Sequence, residues 1–191
     1  MASALPTPKL TPAEFIEWEK TQLDRHEFVG GEVFAMAGAS PRHNKLASNL
    51  HSVLGRLLRG TPCDALESNQ RVCVETESGY VYPDMSIVCG EPNFDEVGQA
   101  LLNPTVLVEI LSKGTEAFDR GDKFRLYRAR PSLLDYLLVS QRAALIEHFQ
   151  RRDSTWVLVE AGAEAKVTLA NGTSFSVDEV YEGAWRFPGD D

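Results

Sequence analysis

Residues 105–111 read TVLVEIL, an apolar run broken by a single acid, Glu109. Such a run fits a strand covered on both faces. Burying an ionised carboxylate there without a partner costs several kcal/mol. A chain that keeps Glu109 in this place must therefore supply a cation, hydrogen-bond donors or a raised pKa. The plain alternative is a sheet-end carboxylate paired with a nearby arginine.

The surrounding pattern says what that strand belongs to. Residues 119–129 alternate charges with Phe124, Leu126 and Tyr127 and read as a helix ended by Pro131, and 134–139 is a second buried strand. A helix between two such strands makes them parallel neighbours. Upstream, Thr11-Pro12-Ala13-Glu14 is a capping box with proline in the first turn, opening a short helix through Trp18. Two β-type runs, 26–29 and 32–36, flank Gly30-Gly31 and predict a hairpin. Ser40-Pro41 caps a second helix, with Leu46, Leu50, Val53, Leu54 and Leu57 at helical spacing and Gly60 at its end. From Ala65 to Cys89 the period falls to two, with strands at 70–75 and 84–89 around a turn at 77–79. Residues 91–103 predict a loop or short helix. Residues 144–150 and 155–160 predict a meander, Asn171-Gly172 a tight turn, and 176–179 a last helical turn.

At 191 residues the chain has the size of one domain, spanning 10–185 with loose ends at 1–9 and 186–191. The expectation is an α/β domain with a mixed sheet, flanking helices, an N-terminal hairpin and a C-terminal β-meander. No apolar run approaches the roughly 20 residues of a membrane helix, and Met1–Lys9 lacks a signal-peptide pattern, so the expected compartment is the cytoplasm. Acidic residues outnumber basic ones, 28 to 19, for a net charge of −9. That counts against a non-specific nucleic-acid coater but not against an enzyme with a local basic patch. Cys63, Cys73 and Cys89 match no zinc or redox spacing and read as reduced structural thiols.

Two further features join Glu109. Tyr82-Pro83-Asp84 opens a strand, which holds Asp84 at a sheet mouth. The 119–128 helix sets Asp119, Lys123 and Tyr127 at successive i,i+4 positions. Each feature has a plain reading of its own, as turn chemistry or as a solvated helix. Together, two carboxylates on neighbouring strands suit Mg²⁺ (or Mn²⁺), a hard cation that takes oxygen ligands and keeps several waters. A lysine from the next helix would position an attacking water or stabilise developing charge.

These residues resemble the PD-(D/E)XK nucleases through Pro83-Asp84 and Glu109-Ile110-Leu111. More closely, Glu32-Val33 with Met36-Ala37-Gly38, Tyr82-Pro83-Asp84, residues 108–112 (VEILS), residues 119–124 (DRGDKF) with Tyr127, and residues 134–140 (LDYLLVS) resemble the Uma family of restriction endonucleases, over about residues 10–185. The resemblance implies a restriction-endonuclease-like α/β fold and Mg²⁺-dependent hydrolysis of nucleic-acid phosphodiesters, most naturally in double-stranded DNA, by a homodimer. Asp84 and Glu109 would be metal ligands, with the Ile110 carbonyl a third. The superfamily's lysine position is Leu111 here, so the resemblance assigns the catalytic lysine to Lys123, ahead of Lys113. Glu32 and His43 are extra candidates. Arg42, Lys45 and Arg56 on the second helix, and Arg120, Arg125 and Arg128 on the third, form the expected phosphate footprint. Two other readings remain open, a non-catalytic binding or assembly domain with the same fold and an enzyme on small phosphoesters.

Overall fold

The computed structural model describes residues 9–36, 38–74, 79–97 and 99–190. Helix α1 (Pro12–Glu19) starts at the Thr11 capping box. Strands β1 (His26–Val29) and β2 (Glu32–Ala35) form the glycine-turned hairpin, with Gly30 and Gly31 at φ +61° and +82°. Only a residue without Cβ takes two such angles in succession cheaply. Helix α2 (Pro41–Leu57) is capped by the Ser40 hydroxyl.

A six-stranded mixed sheet follows, built from β3 (Cys63–Glu67), β6 (Met85–Cys89), β7 (Val106–Ile110), β8 (Asp135–Val139), β9 (Leu145–Arg152) and β10 (Thr155–Gly162), in the order β10-β9-β8-β7-β6-β3. Strands β7 and β8 are parallel, as expected, and the other pairs are antiparallel. A small hairpin of β11 (Lys166–Thr168) and β12 (Ser174–Ser176), turned near Gly172, leads into α5 (Val177–Tyr181).

The two sheet faces carry separate cores. Met85, Ile87, Val106, Val108 and Ile110 pack with Leu46, Leu50 and Leu54 of α2 and with Phe175 and Val177. On the opposite face, Val88, Leu107, Leu111 and Tyr136 pack with Phe124, Leu126 and Tyr127. Glu109 shares the parity of Leu107 and Leu111, so it points into this second core.

Several features depart from the sequence expectations. The hairpin is half of a second, four-stranded sheet of order β2-β1-β5-β4, completed by β4 (Val72–Val74) and β5 (Gly79–Val81). Strand β5 was not expected. Runs of three residues show too little alternation to be read, and these two are fixed by pairing and by the shared core. Glu77 and Ser78 of the expected turn, like Met1 to Pro8 and Ala37, lie outside the described residues. Cys63 and Cys89 are not reduced thiols but a disulfide between directly paired strand positions; Cys73 is a buried thiol. Their sequence separation hides a register that only sheet pairing creates. The third helix begins earlier, as α3 (Glu116–Phe118), passes through a π-helical turn (Asp119–Lys123) and continues as α4 (Phe124–Tyr127). The 187–190 tail lies on the body, where Arg42 donates to the Phe187 and Pro188 carbonyls and Gln141 to Asp190. Among the described residues, no helix is long and apolar enough to cross a membrane.

Candidate active site

Strand β6 pairs with β7 through Met85↔Val108. One step further, Asp84 faces Glu109 across the two strands, on the same sheet face. Directly opposed antiparallel positions have Cβ atoms about 4.5–5.5 Å apart. Pro83, which cannot donate to the ladder, ends the pairing there. The Ile110 N–H instead donates to Asp84 Oδ2 at 2.7 Å. A strand residue's N–H and C=O leave on the same side, so the Ile110 carbonyl also looks toward Asp84.

Lys123 arrives from the π-helical turn and is 5% exposed. Its ammonium lies 3.0 Å from Glu109, 3.0 Å from Glu27 and 3.8 Å from Asp119. One helical turn on, the Tyr127 hydroxyl donates to the same Glu109 Oε1 at 2.8 Å. π-helical turns occur mostly as single-turn bulges at functional sites. Here the bulge ends on the residue that spans three carboxylates.

His43, in the first turn of α2, places Nε2 3.2 Å from Asp84. Its Nδ1 is buried with no hydrogen-bond partner. Burial opposes the imidazolium, but the adjoining Asp84 carboxylate, with Asp190 and Asp119, outweighs it and raises the His43 pKa.

The electrostatic balance of the cluster is uneven. Burial pushes the Glu109 carboxyl well up; Lys123 opposes this, while Asp119, Asp84 and Glu27 reinforce it. Asp119 is raised for the same leading reason, burial. Burial also works against a charged Lys123, but Glu109, Glu27 and Asp119 hold its pKa well above the usual lysine value. The ammonium therefore stays charged, and three carboxylates compete for it. Such a cluster is short of positive charge.

That deficit, with the donor set, fits a hard divalent cation. Among the described residues no group of three His, Cys, Asp or Glu side chains converges as a metal cage. The chain would thus offer two carboxylates and one backbone carbonyl, with water completing the shell. That is the way Mg²⁺ is usually held, whereas zinc takes nitrogen and sulfur ligands in a closed set.

The structure brings Asp84, Glu109, Lys123 and His43 together, and it adds Glu27, Asp119 and Tyr127. Glu27 had not been singled out. It alternates with buried His26 and Phe28 and so reads as the polar face of a hairpin. The contact is tertiary, since its Oε1 accepts from the Tyr82 N–H and faces Lys123. Glu32 is exposed on β2, opposite Val29, and is not among the partners of Lys123 or Asp84. Lys113 is exposed in the turn after β7, beside a small pocket lined also by Glu116 and Asp190. Most of the expected phosphate footprint is engaged within the chain. Arg42 holds the Gln141 carbonyl and the C-terminal tail, and Arg56 pairs with Glu179. Arg120 pairs with Glu116 and Glu147, and Arg125 with Asp122. Arg128 lies over the Phe124 ring, and Lys45 lies beside Gly183. A cavity of about 460 Å³ lined by Asp135, His148 and Val167 opens on the other sheet face and does not reach Glu109.

The family model Uma2, described as "Putative restriction endonuclease", matches residues 12–186. This chain belongs to the Uma2 family. Two Synechocystis proteins, the uncharacterized proteins slr1290 and sll1609, are similar to it along most of their length. They are 36% identical over 180 residues (93% of this chain, 94% of that protein) and 35% identical over 160 residues (83% and 90%). The crystal structure of a putative nuclease belonging to DUF820 from Anabaena variabilis has the same fold, with a TM-score of 0.75 at 15% identity. It covers 92% of this chain and 99% of that one. The expected restriction-endonuclease-like α/β architecture is thus observed in this Uma2 member.

A modest change checks the site's internal wiring. Tyr127→Phe removes one of two donors from a buried carboxylate oxygen. It should cost about 1–3 kcal/mol in denaturant unfolding, with the m-value unchanged. No loss of stability would show that the hydroxyl does not hold Glu109.

Proposed function

We propose that this Uma2 protein is a divalent-metal-dependent nuclease that hydrolyses phosphodiester bonds in DNA. The observation that carries the reading is the buried Lys123 ammonium on Glu109, with Asp84 opposite on the adjoining strand. The family description and the fold shared with a protein named as a nuclease support it.

Asp84, Glu109 and the Ile110 carbonyl would hold Mg²⁺ or Mn²⁺. Bound there, the cation would supply Lewis acidity toward a phosphate oxygen and a coordinated water acidic enough to attack near neutral pH. Lys123 holds a fixed positive charge where the transition state gathers negative charge, in a site of low dielectric. Glu27 and Asp119 keep that ammonium in place, and Tyr127 fixes the Glu109 rotamer. His43 orients Asp84 from the α2 side. Arg125 and Arg56, exposed and tied only to surface acids, can exchange those partners for phosphates.

Cleavage of plasmid and linear duplex DNA, single-stranded DNA and RNA should be assayed with Mg²⁺, with Mn²⁺ and with chelator. The expected result is cleavage of DNA that requires the cation. Arg125→Ala or Arg56→Ala should weaken binding and flatten its salt dependence by about one counterion. Cleavage that persists in chelator would overturn the metal reading. Cation-independent DNA binding without cleavage would instead make the chain a binding module.

A further inference from the structure

Residues 187–190 (FPGD) cross the first turn of α2 and reach the C-terminal end of β7. The Arg42 N–H donates to the Pro188 carbonyl and the Arg42 Nε to the Phe187 carbonyl, both at 3.0 Å. The Gln141 amide donates to Asp190 Oδ2 at 3.1 Å. Gly189 lies so close to the Arg42 guanidinium that a Cβ there would stand 2.7 Å from Nη1. No other described glycine has so near a neighbour. The segment is thus closely fitted to its seat.

The seat itself is a set of anion donors: a guanidinium, a side-chain amide and a backbone N–H in the first turn of a 17-residue helix. The body of the protein holds them in place. Arg42 Nη1 donates to the Gln141 backbone carbonyl at 2.8 Å. Gln141 is 3% exposed; its amide also donates to the Leu111 carbonyl at 2.9 Å, and its side-chain oxygen accepts from the Ser40 hydroxyl at 2.7 Å. If the segment lifts away, these donors keep their positions, and a buried amide N–H is left unpaired until another acceptor arrives. The seat adjoins the carboxylate cluster. Arg42 precedes His43, which meets Asp84 at 3.2 Å, and Leu111 lies two residues beyond Glu109. Asp190 shares a small cleft with Leu111, Ser112 and Lys113. Glu116 lines the same cleft but is engaged by Arg120 and Arg142. Two carbonyl oxygens and one carboxylate therefore fill donors that the oxygens of a phosphodiester would equally satisfy.

We infer that Arg42 and Gln141 form a phosphate-binding subsite beside the Asp84–Glu109 pair, and that residues 187–190 occupy it as a substrate-mimicking strap that nucleic acid displaces. Nucleic acid as the displacing ligand rests on the nuclease reading; the anion seat and its strap do not. The apparent affinity for DNA is then lowered by the fraction of molecules whose strap is closed.

Two variants of the full chain open the strap by different means. Gly189→Val drives a side chain into the Arg42 guanidinium and leaves every charge in place. Asp190→Asn keeps the shape and removes the carboxylate. Each should bind a fluorescent DNA duplex, at fixed salt and in chelator, roughly three-fold or more tighter than wild type. Arg42→Gln should bind more weakly, and Gly189→Val should lose its effect in that background, where the collision and the donor are both gone. Inorganic phosphate should raise the melting temperature of Gly189→Val and Asp190→Asn more than that of wild type, which reads the seat without DNA. Unchanged duplex affinity together with an unchanged phosphate response in both variants overturns the inference, whether or not the protein cleaves DNA. So does a Gly189→Val effect that survives Arg42→Gln. A phosphate response without duplex binding supports the seat and its strap and overturns nucleic acid as the ligand, and with it the nuclease reading.

Discussion

Lys123→Ala will slow cleavage severely and also loosen the fold. From sequence, this lysine reads as a solvated helical residue whose removal costs little. In the structure it is buried and spans Glu109, Glu27 and Asp119. Deleting one partner of a buried ion cluster leaves its charges uncompensated, at a cost of about 3–5 kcal/mol. The catalytic loss should be about 10²–10³-fold, as for other groups aimed at developing charge. The two effects can be separated. Single-turnover cleavage at saturating protein, at a temperature where the variant is folded, reads the chemical step alone. Denaturant unfolding reads the other. Lys113→Ala should alter neither by more than a few-fold. If Lys113→Ala is the inactive variant, the helix-borne lysine is not the catalytic one. If Lys123→Ala unfolds no more easily than wild type, the buried cluster is not as described.

Glu109→Gln should move stability and activity in opposite directions. The carboxyl is raised well above its ordinary value, chiefly by burial. A raised carboxyl contributes stability that is fully present below the unfolded-state value and is lost as pH rises through the folded-state value. Glutamine has the same shape and does not ionise. Without metal, the variant should therefore gain on the wild type as pH rises through the folded-state value, and the two should converge in acid. Cleavage should fall by at least roughly 10³-fold, since the proposed metal ligand is lost along with its charge. Divalent cation should reverse the order of stabilities. At a concentration about 100 times its Kd, it stabilises a protein that binds it only when folded by about 2.7 kcal/mol, and only the wild type should respond. Melting scans with and without Mg²⁺ across pH, alongside cleavage rates, give all three readouts. Equal Mg²⁺ responses in the two proteins would place the cation elsewhere.

What the sequence disclosed, and what it withheld, follows from the range of the interactions involved. The Gly30-Gly31 hairpin, the Ser40 cap and the parallel β7–β8 pair rest on local rules, and each is found. Glu109 was visible because an acid inside VLVEIL breaks a one-dimensional pattern. Asp84 was visible because proline fixes a strand start. Glu27 was hidden because a polar residue on a two-residue period normally faces water, and nothing in β1 shows that the π-helical turn covers that face. The Cys63–Cys89 bond was hidden for a similar reason, since only the β3–β6 register makes the two positions neighbours. The arginines of α2 looked like a phosphate surface, but their intramolecular partners lie far away in sequence, as with Arg56 and Glu179.

The π-helical turn has one more consequence, which concerns helix phase. An α-helix advances about 100° per residue, so a wider turn shifts the phase of everything after it relative to everything before it. Residues 116–120 use their phase to bind Arg120 to Glu116 and, across to β9, to Glu147. Lys123 and Tyr127 use theirs to meet on Glu109. One short helical segment thus serves as both anchor and tool. The ammonium reaches the carboxylate because of an angular offset, not because of its distance along the chain from Glu109. In relatives, the residue equivalent to Lys123 is better sought by its rotation about this helix than by counting from the strand, since a one-residue gain or loss in the turn would swing it away from Glu109.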